Sequence, residues 1–170
     1  MTDGEIRPRT DDDLAACAEV LVEVHGVDGY PVEGVADPVA WLTPPALLHA
    51  WVATLDHHPV GHVALSEPQP GDDAAHLWHE QSGEPLHQLG VLGRLFVSPS
   101  ARGHAFGRRL VEAVAAECDR ISRRPVLDVM AKDSAAIHLY ERLGWHRIGS
   151  TTHRFGDHQT TDAYCYVLTR

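Results

Sequence analysis

The spacing of apolar residues changes period several times along the chain, and it predicts an alternation of strands and helices. Helical spacing begins after Thr10, which can form a capping box with Asp13, and fades near Gly26. It returns after Phe106 and again before Gly144. Short apolar runs predict strands over residues 5–9, 48–55, 59–67, 88–97, 125–130, 145–155 and 162–170. This order predicts a mixed α/β fold with hairpins at both ends.

Two connections between the predicted strands carry further information. Residues 56–58 are short and polar, so the strands on either side should form an antiparallel hairpin. Residues 68–86 are polar and rich in Pro, Gly and Asp, with a short helix predicted over residues 74–80. A connection of this length within a compact domain is often functional.

Length and composition place the chain among globular proteins. Its 170 residues are 44% hydrophobic and 22% charged, which fits one domain over residues 1–170 with a sizeable core. No apolar run is long enough to cross a bilayer or resembles a signal peptide, so we expect a cytoplasmic protein. Three isolated cysteines in apolar contexts, Cys17, Cys118 and Cys165, predict buried free thiols rather than a disulfide or a metal cage.

The charge balance narrows the choice of partners. The formal net charge is −10 with histidine neutral, and protonating all 13 histidines would give −10 + 13 = +3. An acidic chain at neutral pH is a poor partner for nucleic acid or an anionic membrane. It suits a cationic small molecule or a basic peptide, although an acidic surface that only maintains solubility is an equally simple explanation.

The stretch "LFVSPSARGHAFGRRLVEA" carries the clearest chemical signal in the sequence. An apolar strand leads through a turn that contains Gly103 and Gly107 into a helix that starts near Ala105. The first N–H groups of a helix are unpaired and lie at its positive end, so the turn predicts an anion site. Nearby arginines add positive charge. Taken alone, the stretch is also compatible with an ordinary tight turn whose arginines are solvated.

In this context the stretch resembles the acyl-CoA signature of the GNAT acetyltransferase superfamily, Arg/Gln-x-x-Gly-x-Gly/Ala. Arg102 stands at its first position, Ala105 at the fourth and Gly107 at the sixth. Downstream, "DSAAIHLYERLGW" resembles the family's helix that ends in Leu-Tyr-Glu-x-x-Gly-Phe, and "IRPRTDDDLAACAEV" resembles its first strand and helix. The resemblance implies the GNAT acyl-CoA N-acyltransferase fold, which is a central, mostly antiparallel twisted sheet flanked by helices.

The same resemblance implies acyl transfer from acetyl-CoA to an amine. The turn would take the pyrophosphate, and the preceding strand would pair with the pantetheine arm and steady the thioester oxyanion. The implied cofactor-binding residues are Leu95, Phe96, Val97, Arg102, Gly103, His104, Ala105, Phe106, Gly107, Arg108 and Asp133. Two of them depart from the family pattern. Ala105 replaces a glycine, which costs about 1 kcal/mol if the position needs a positive φ, and Asp133 replaces an asparagine as the cap of the next helix.

Catalytic groups are also implied by the resemblance. Tyr140 matches the family's helix tyrosine and would donate a proton to the departing thiolate, although it also fits a core aromatic beside Ile137 and Leu143. An amine with a pKa near ~10.4 must lose a proton before it attacks. Glu67, at the end of a strand that should face the cleft, is the predicted base. The other candidates, in or beside a segment expected to shape the acceptor pocket, are Glu80, Glu84, His79 and His87.

Histidine clusters raise the question of a metal. "HHPVGH" and "HLWH" bring imidazoles close together, but no cysteine or second set of carboxylates completes a tetrahedral site. We therefore interpret them as scattered surface histidines and expect no metal. Trp78, in the long polar connection, either lines a substrate pocket or packs the segment down.

Three functions remain in competition. The first is an N-acetyltransferase for a small-molecule or amino-acid-like amine. The second is a non-catalytic acyl-CoA sensor or inactive homologue, which the substitutions at Ala105 and Asp133 favour. The third is acetylation of a protein N-terminus or lysine, which needs an open groove. By analogy with such folds, a homodimer formed through the final hairpin is also expected.

Overall fold

The computed structural model describes residues 4–169. It contains the strands and α-helices predicted above in the same order, together with a short helix over Pro38–Leu42. Their bounds are β1 Gly4–Pro8, α1 Leu14–Asp28, α2 Pro38–Leu42, β2 Leu47–Leu55, β3 His58–Ser66, α3 Asp73–Ser82, β4 Leu89–Val97, α4 Phe106–Ile121, β5 Arg124–Met130, α5 Ser134–Arg142, β6 His146–Phe155 and β7 Gln159–Val167. The last residue of the final predicted strand, at position 170, lies outside the described residues.

The differences from the predicted bounds have local causes. Helix α1 continues past Gly26 and ends when Gly29 takes a left-handed φ of 72° and donates its N–H to the carbonyl of His25. Helix α3 is longer than the predicted 74–80 and ends in the same way at Gly83, with a φ of 79°. Both helices therefore end at a glycine that takes a left-handed conformation, and α1 continues through Gly26 because that glycine stays helical.

The strands form a sheet with the order β1-β2-β3-β4-β5-β7-β6. Pairing is antiparallel for β1 with β2, β5 with β7 and β6 with β7, and it is parallel for β4 with β5. The predicted fold class, a mixed α and β protein with a mostly antiparallel sheet and flanking helices, is confirmed. The chain divides into two compact units, and β4 contributes residues to both.

The first unit comprises the described residues up to Leu65 together with Arg94–Ala113. Its core joins helix α1 to strands β2 and β4 through the buried residues Cys17, Leu21, Val24, Leu42, Val52 and Phe96. The start of α1 is fixed by polar contacts. The Asp13 carboxylate accepts the Thr10 N–H at 2.7 Å and two hydrogen bonds from Arg7 at 2.8 Å. The Arg7 guanidinium lowers the pKa of Asp13 to about 2, and the capping box predicted from the sequence is confirmed.

The connection between β2 and β3 is a two-residue turn. Asp56 and His57 both have positive φ, at 50° and 69°. Two successive left-handed residues suit the right-handed twist of a hairpin. The predicted hairpin between these strands is therefore confirmed.

The second unit comprises Ser66–Gly93 and the described residues from Val114 onward. Helix α3 packs on its sheet, with a core made of Ala74, Ala75, Leu89, Val126, Cys165 and Val167. Trp78 lies against this core, and its indole N–H donates to the Glu84 carboxylate at 3.0 Å. Of the two roles considered for Trp78, the structure shows the one in which it packs its segment down.

A half-buried carboxylate lies where α3 meets this sheet. Asp128 on β5 accepts the Ala74 N–H at 3.0 Å and the Cys165 thiol at 3.2 Å. Burial, opposed in part by these bonds, raises the pKa of Asp128 to about 6. The negative carboxylate thus caps the first turn of α3 from a neighbouring strand.

The cysteine prediction is confirmed, since Cys17, Cys118 and Cys165 are all buried and free. Within residues 4–169, no helix combines the length and the apolar character needed to span a membrane.

Candidate cofactor-binding turn and catalytic residues

The described pairing of β4 with β5 involves only the first residues of β4. Among the described residues, the parallel pairing of these strands includes only Leu89 with Arg124, Gly90 with Pro125 and Val91 with Val126. The segment 95–97, predicted to pair with a pantetheine arm, follows this paired region. Just before it, Arg94 has a left-handed φ of 54°, which interrupts the regular strand.

The end of β4 is tied down inside the first unit. The Ser98 N–H donates to the Val60 carbonyl at 2.7 Å, and the Ser98 hydroxyl contacts Glu23 at 2.5 Å and Ser100 at 2.9 Å. Ser98 is only 3% exposed, so these bonds hold the start of the turn firmly.

The turn that follows uses two left-handed residues. Gly103 has a φ of 92° and Ala105 a φ of 58°. The sequence left open whether position 105 needs a positive φ, and the structure shows that it does. Ala105 therefore carries a backbone strain of about 1 kcal/mol that the family's usual glycine would not. A Cβ at Gly103 would meet nothing within 4 Å, so only the backbone conformation favours glycine there.

Helix α4 begins directly after Ala105. The Ala105 carbonyl accepts the first helical hydrogen bond, from the Arg109 N–H at 3.0 Å. The N–H groups of Phe106, Gly107 and Arg108 belong to the first turn of the helix and therefore have no carbonyl of the same helix to bind. These three donors lie at the positive end of a 16-residue helix, which is a suitable place for a phosphate oxygen.

Arginines surround the turn, but each already has a partner within the first unit. Arg102 pairs with Asp28, and Arg108 lies 3.3 Å from Glu112. Arg109 donates to the Gly4 carbonyl at 3.2 Å. The side chains of Arg102 and Arg108 are 50% and 58% exposed, so both can exchange these partners for a ligand at little cost.

His104 and Phe106 fix the geometry of the turn. The Nδ1 of His104 donates to the Ala101 carbonyl at 3.0 Å, since a carbonyl can only accept. The two rings stack with centroids 5.4 Å apart. Phe106 is 2% exposed, so its side chain anchors the start of the helix in the core.

A buried polar network lies next to Arg94, and the sequence reasoning missed it. His62 on β3 is fully buried, with its Nδ1 2.9 Å from the Arg94 carbonyl and its Nε2 3.0 Å from Nη1 of Arg9. Its ring stacks on Phe96 with centroids 5.2 Å apart. The interpretation of "HHPVGH" as surface histidines is therefore wrong for His62, although His57 and His58 are exposed.

A signal for this network was present in the sequence. His62 stands within an otherwise apolar run on β3. A polar side chain at such a position is expected to be buried with the rest of the run and not solvated. A buried histidine needs partners for both ring nitrogens. Burial and the positive charges of Arg9 and Arg94 lower the pKa of His62 to about 4.

Two of the predicted residues, Tyr140 on α5 and Asp133 at its N-cap position, belong to the second unit. Tyr140 is 4% exposed and its ring packs 5.8 Å from Trp145 and 6.5 Å from Tyr166. Burial and the charge of Asp133 raise the pKa of Tyr140 well above its usual value. Asp133 occupies the N-cap position of α5, but its side chain does not make the capping hydrogen bond expected from the sequence.

The candidate bases are distributed over the second unit. Glu67 follows β3 directly, is 52% exposed and lies 3.2 Å from Arg123. Glu84 pairs with Arg124 and also accepts from Trp78, so it has a structural role. The Nδ1 of His79 donates to the Glu84 carbonyl at 2.7 Å. The remaining two candidates, Glu80 and His87, are exposed.

Metal ligands are not gathered anywhere in the described part of the chain. Between residues 4 and 169, no group of three or more His, Cys, Asp or Glu side chains is arranged to hold a metal ion.

Comparisons with known proteins agree with this geometry. The model of the acetyltransferase (GNAT) family matches residues 13–145. The fold is similar to that of a ribosomal-protein-alanine N-acetyltransferase from Brucella melitensis, with a TM-score of 0.74, 19% identity and coverage of 96% of this chain and 98% of that one. It is also similar to NAA60 from Arabidopsis thaliana, solved with acetyl-CoA (TM-score 0.72, 18% identity, 97% of both chains). An N-acetyltransferase from Staphylococcus aureus matches with a TM-score of 0.72, 17% identity and 98% of both chains.

Proposed function

The chain belongs to the acetyltransferase (GNAT) family, and we propose that it transfers an acetyl group from acetyl-CoA to a primary amine of a small-molecule or amino-acid-like acceptor. The observation that carries this proposal is the turn between β4 and α4. Gly103 and Ala105 are both left-handed there, and the turn opens into the first N–H groups of α4.

The residues of the first unit fit acetyl-CoA in two respects. The first turn of α4 and the exposed guanidinium groups of Arg102 and Arg108 suit the pyrophosphate. The edge of β4 beyond Val91 suits an amide-containing arm that pairs like a further strand. NAA60 from Arabidopsis thaliana, which shares the fold, was solved with acetyl-CoA.

Acetyl-CoA supplies an activated acyl group in the form of a thioester. The protein must stabilise the negative charge that develops on the carbonyl oxygen while the nitrogen of the amine attacks. An N–H of Leu95, Phe96 or Val97 on β4 would donate to this oxygen, and a fixed backbone donor costs no reorganisation. The C–N bond then forms as the C–S bond breaks, so the thiolate gains a proton and the amine loses one.

Tyr140 would give the proton that the thiolate gains. The hydroxyl is protonated at neutral pH, as a general acid must be, but burial and Asp133 raise its pKa and so make it a weaker proton donor than a solvated tyrosine. Its ring contacts also make Tyr140 part of the core, so the two roles considered from the sequence are compatible.

Glu67 would accept the proton that the amine loses. Its side chain is half exposed, so we propose that a water molecule relays this proton. The ion pair with Arg123 competes for the same carboxylate, and removal of Arg123 should therefore leave the base function intact.

The nature of the acceptor rests on charge. A net charge of −10 favours a cationic amine over an anionic one. A protein N-terminus is the second candidate. The similar folds of a ribosomal-protein-alanine N-acetyltransferase and of NAA60, the latter also solved with a bisubstrate analogue, support it. A cytoplasmic location, a single domain and a homodimer stay predictions.

Calorimetric titration with acetyl-CoA and with CoA is the first test. Micromolar binding of both is expected if the turn functions despite Ala105. Absence of binding to the folded protein would contradict the proposal. It would favour instead a partner-binding protein on an acetyltransferase scaffold.

Turnover is the second test, measured as release of free thiol over a panel of small amines and short peptides. Tyr140→Phe should lower kcat by about 100-fold with unchanged affinity for acetyl-CoA, because only the proton donor is lost. Tyr164→Phe is the matched control, since Tyr164 stacks on Arg147 and has no proposed catalytic role. Binding of acetyl-CoA without turnover of any amine would identify a sensor, and turnover of peptides alone would identify a protein acetyltransferase.

A further inference from the structure

The carbonyl of Arg94 and the N–H of Leu95 belong to one peptide unit. The only cis peptide bond among the described residues joins Tyr30 to Pro31, so this unit is trans. In a planar trans peptide the C=O and N–H bonds point in opposite directions. Whatever fixes the Arg94 carbonyl therefore also fixes the direction of the Leu95 N–H.

His62 fixes that carbonyl, and its partners determine which nitrogen carries the proton. The guanidinium of Arg9 has only donors, so Nε2 of His62 must accept from Nη1 at 3.0 Å. The proton of the neutral ring therefore lies on Nδ1, which donates to the Arg94 carbonyl at 2.9 Å. Both ring nitrogens are satisfied in this tautomer and in no other neutral one.

The rest of Arg94 is held just as firmly. Its Nε donates to the Trp41 carbonyl at 2.7 Å, and its guanidinium lies 5.0 Å from the centre of the Trp41 ring. A non-glycine residue with a φ of 54° persists only where its surroundings fix it, and such residues are concentrated at functional sites. The side chain and the carbonyl of Arg94 are thus fixed from two directions.

We propose that His62 is a positioning residue for the acetyl transfer proposed above, on which this inference rests. By donating from Nδ1 to the Arg94 carbonyl it directs the Leu95 N–H, on the opposite side of the peptide, toward the thioester carbonyl oxygen. Arg9 acts one step further away, because it selects the tautomer of His62. Among the three backbone donors considered for this oxygen, the network singles out Leu95.

Two substitutions of His62 separate this role from simple packing. The side-chain nitrogen of asparagine is as many bonds from Cα as Nδ1, and that of glutamine as many as Nε2. His62→Asn should therefore keep the donor to Arg94, whereas His62→Gln should place its amide toward Arg9. Both variants lose the stack on Phe96 equally, so each controls for the other.

The expected result is a kcat within about 5-fold of wild type for His62→Asn and about 100-fold lower for His62→Gln. Affinity for acetyl-CoA, measured by calorimetry, should remain similar in both, because the donor acts mainly in the transition state. Equal kcat values for the two variants would overturn the inference while leaving the proposed function intact. A wild-type protein that does not bind acetyl-CoA would overturn both.

Nuclear magnetic resonance of the wild-type protein gives a readout that depends neither on turnover nor on the folding of a variant. Long-range proton–nitrogen spectra of labelled histidine should show a protonated Nδ1 and a bare Nε2 for His62. The Leu95 amide proton should shift downfield with a ketone analogue of acetyl-CoA, and less with CoA. A proton on Nε2, or a Leu95 amide that responds equally to both ligands, would overturn the inference.

Discussion

His62 in the first unit is a buried ionisable side chain and Asp128 in the second a half-buried one, and each has two hydrogen-bond partners. For His62, the hydrogen-bond partners and the burial favour the same protonation state. One nitrogen accepts and the other donates, which only the neutral ring can do, and burial favours the same form. For Asp128 they disagree. Its partners, Ala74 and Cys165, both donate and suit the carboxylate, whereas burial disfavours the charge.

This difference gives the two groups opposite effects on stability as the pH falls. The pKa of His62 is about 4 in the folded protein and 6.5 for the free side chain. The neutral ring therefore contributes fully to the free energy of unfolding above pH 6.5, and this contribution is lost as the pH falls toward 4. The pKa of Asp128 is about 6 in the folded protein and 3.8 for the free side chain. The protonated carboxyl therefore contributes fully to the free energy of unfolding below pH 3.8, and this contribution is lost as the pH rises through 6. Between pH 4 and 6 the two slopes oppose each other.

The largest expected effect comes from breaking the matched network. His62→Leu removes the side-chain partner of the Arg94 carbonyl and one of the two acceptors of Arg9 Nη1, which also donates to the Leu42 carbonyl at 2.7 Å. The free energy of unfolding at pH 7 should fall by about 4 kcal/mol, measured by urea denaturation. His58→Leu, at an exposed position of the same strand, is the control and should change it by less than about 0.5 kcal/mol. Similar values for both variants would show that the buried network contributes nothing.

At Asp128, by contrast, a substitution should raise the free energy of unfolding. Asp128→Asn keeps an oxygen for Ala74 and Cys165 but removes the buried charge, so it should raise the free energy of unfolding at pH 7 by about 3 kcal/mol. The gain should vanish near pH 4, where the wild-type carboxyl is already protonated. The free energy of unfolding of the variant should consequently fall more steeply than that of wild type between pH 6 and 4. The loss caused by protonation of His62 is then no longer offset by the gain from protonation of Asp128.

Urea denaturation at several pH values checks this prediction. Asp157→Asn, at an exposed position of the turn between β6 and β7, is the matched control and should give a difference from wild type that changes far less over this range. A constant gain for Asp128→Asn from pH 7 to 4 would contradict the raised pKa of Asp128.

A smaller effect tests the thiol partner of Asp128. The hydrogen bond from Cys165 favours the carboxylate, so Cys165→Ala should raise the pKa of Asp128 further above 6. The shift should be about one unit, equivalent to about 1.4 kcal/mol, and is measurable by carbon NMR of the labelled aspartate. Cys17→Ala removes an equally buried thiol in the first unit and should leave this pKa unchanged. An unchanged pKa in both variants would show that the thiol does not act on the carboxylate.

The separation in sequence between interacting residues explains which features could be predicted from the sequence. The capping box of Thr10 and Asp13 ahead of α1 and the turn at Asp56 and His57 depend on neighbouring residues, and both were predicted. The partners of His62 are 53 and 32 residues away, and Ala74 is 54 residues from Asp128. No local pattern encodes such pairings, because the sheet alone brings them together.

The candidate site divides in the same way. The turn at Gly103 and Ala105 is continuous in sequence, so its residues could be chosen by resemblance. The Arg94 conformation could not, because it depends on Trp41 and His62 from other parts of the chain. The cap expected from Asp133 was wrong because an N-cap position does not oblige the side chain to bond to the helix.

The smallest expected effect concerns the backbone of the first unit, where Ala105 has a left-handed φ that is unfavourable for a residue other than glycine. Ala105→Gly relieves about 1 kcal/mol of left-handed strain but adds about 0.4–1 kcal/mol of unfolded-state entropy, so the net change in stability should stay below about 0.5 kcal/mol. Gly103→Ala, in the same turn, has no such compensation and should destabilise the protein by about 1 kcal/mol without any steric clash. If the methyl group of Ala105 also obstructs a bound phosphate, Ala105→Gly should raise the affinity for acetyl-CoA in calorimetry by about 5-fold at unchanged stability, since about 1 kcal/mol of repulsion corresponds to that factor. An affinity equal to that of wild type would show that the methyl group at position 105 does not hinder the proposed site.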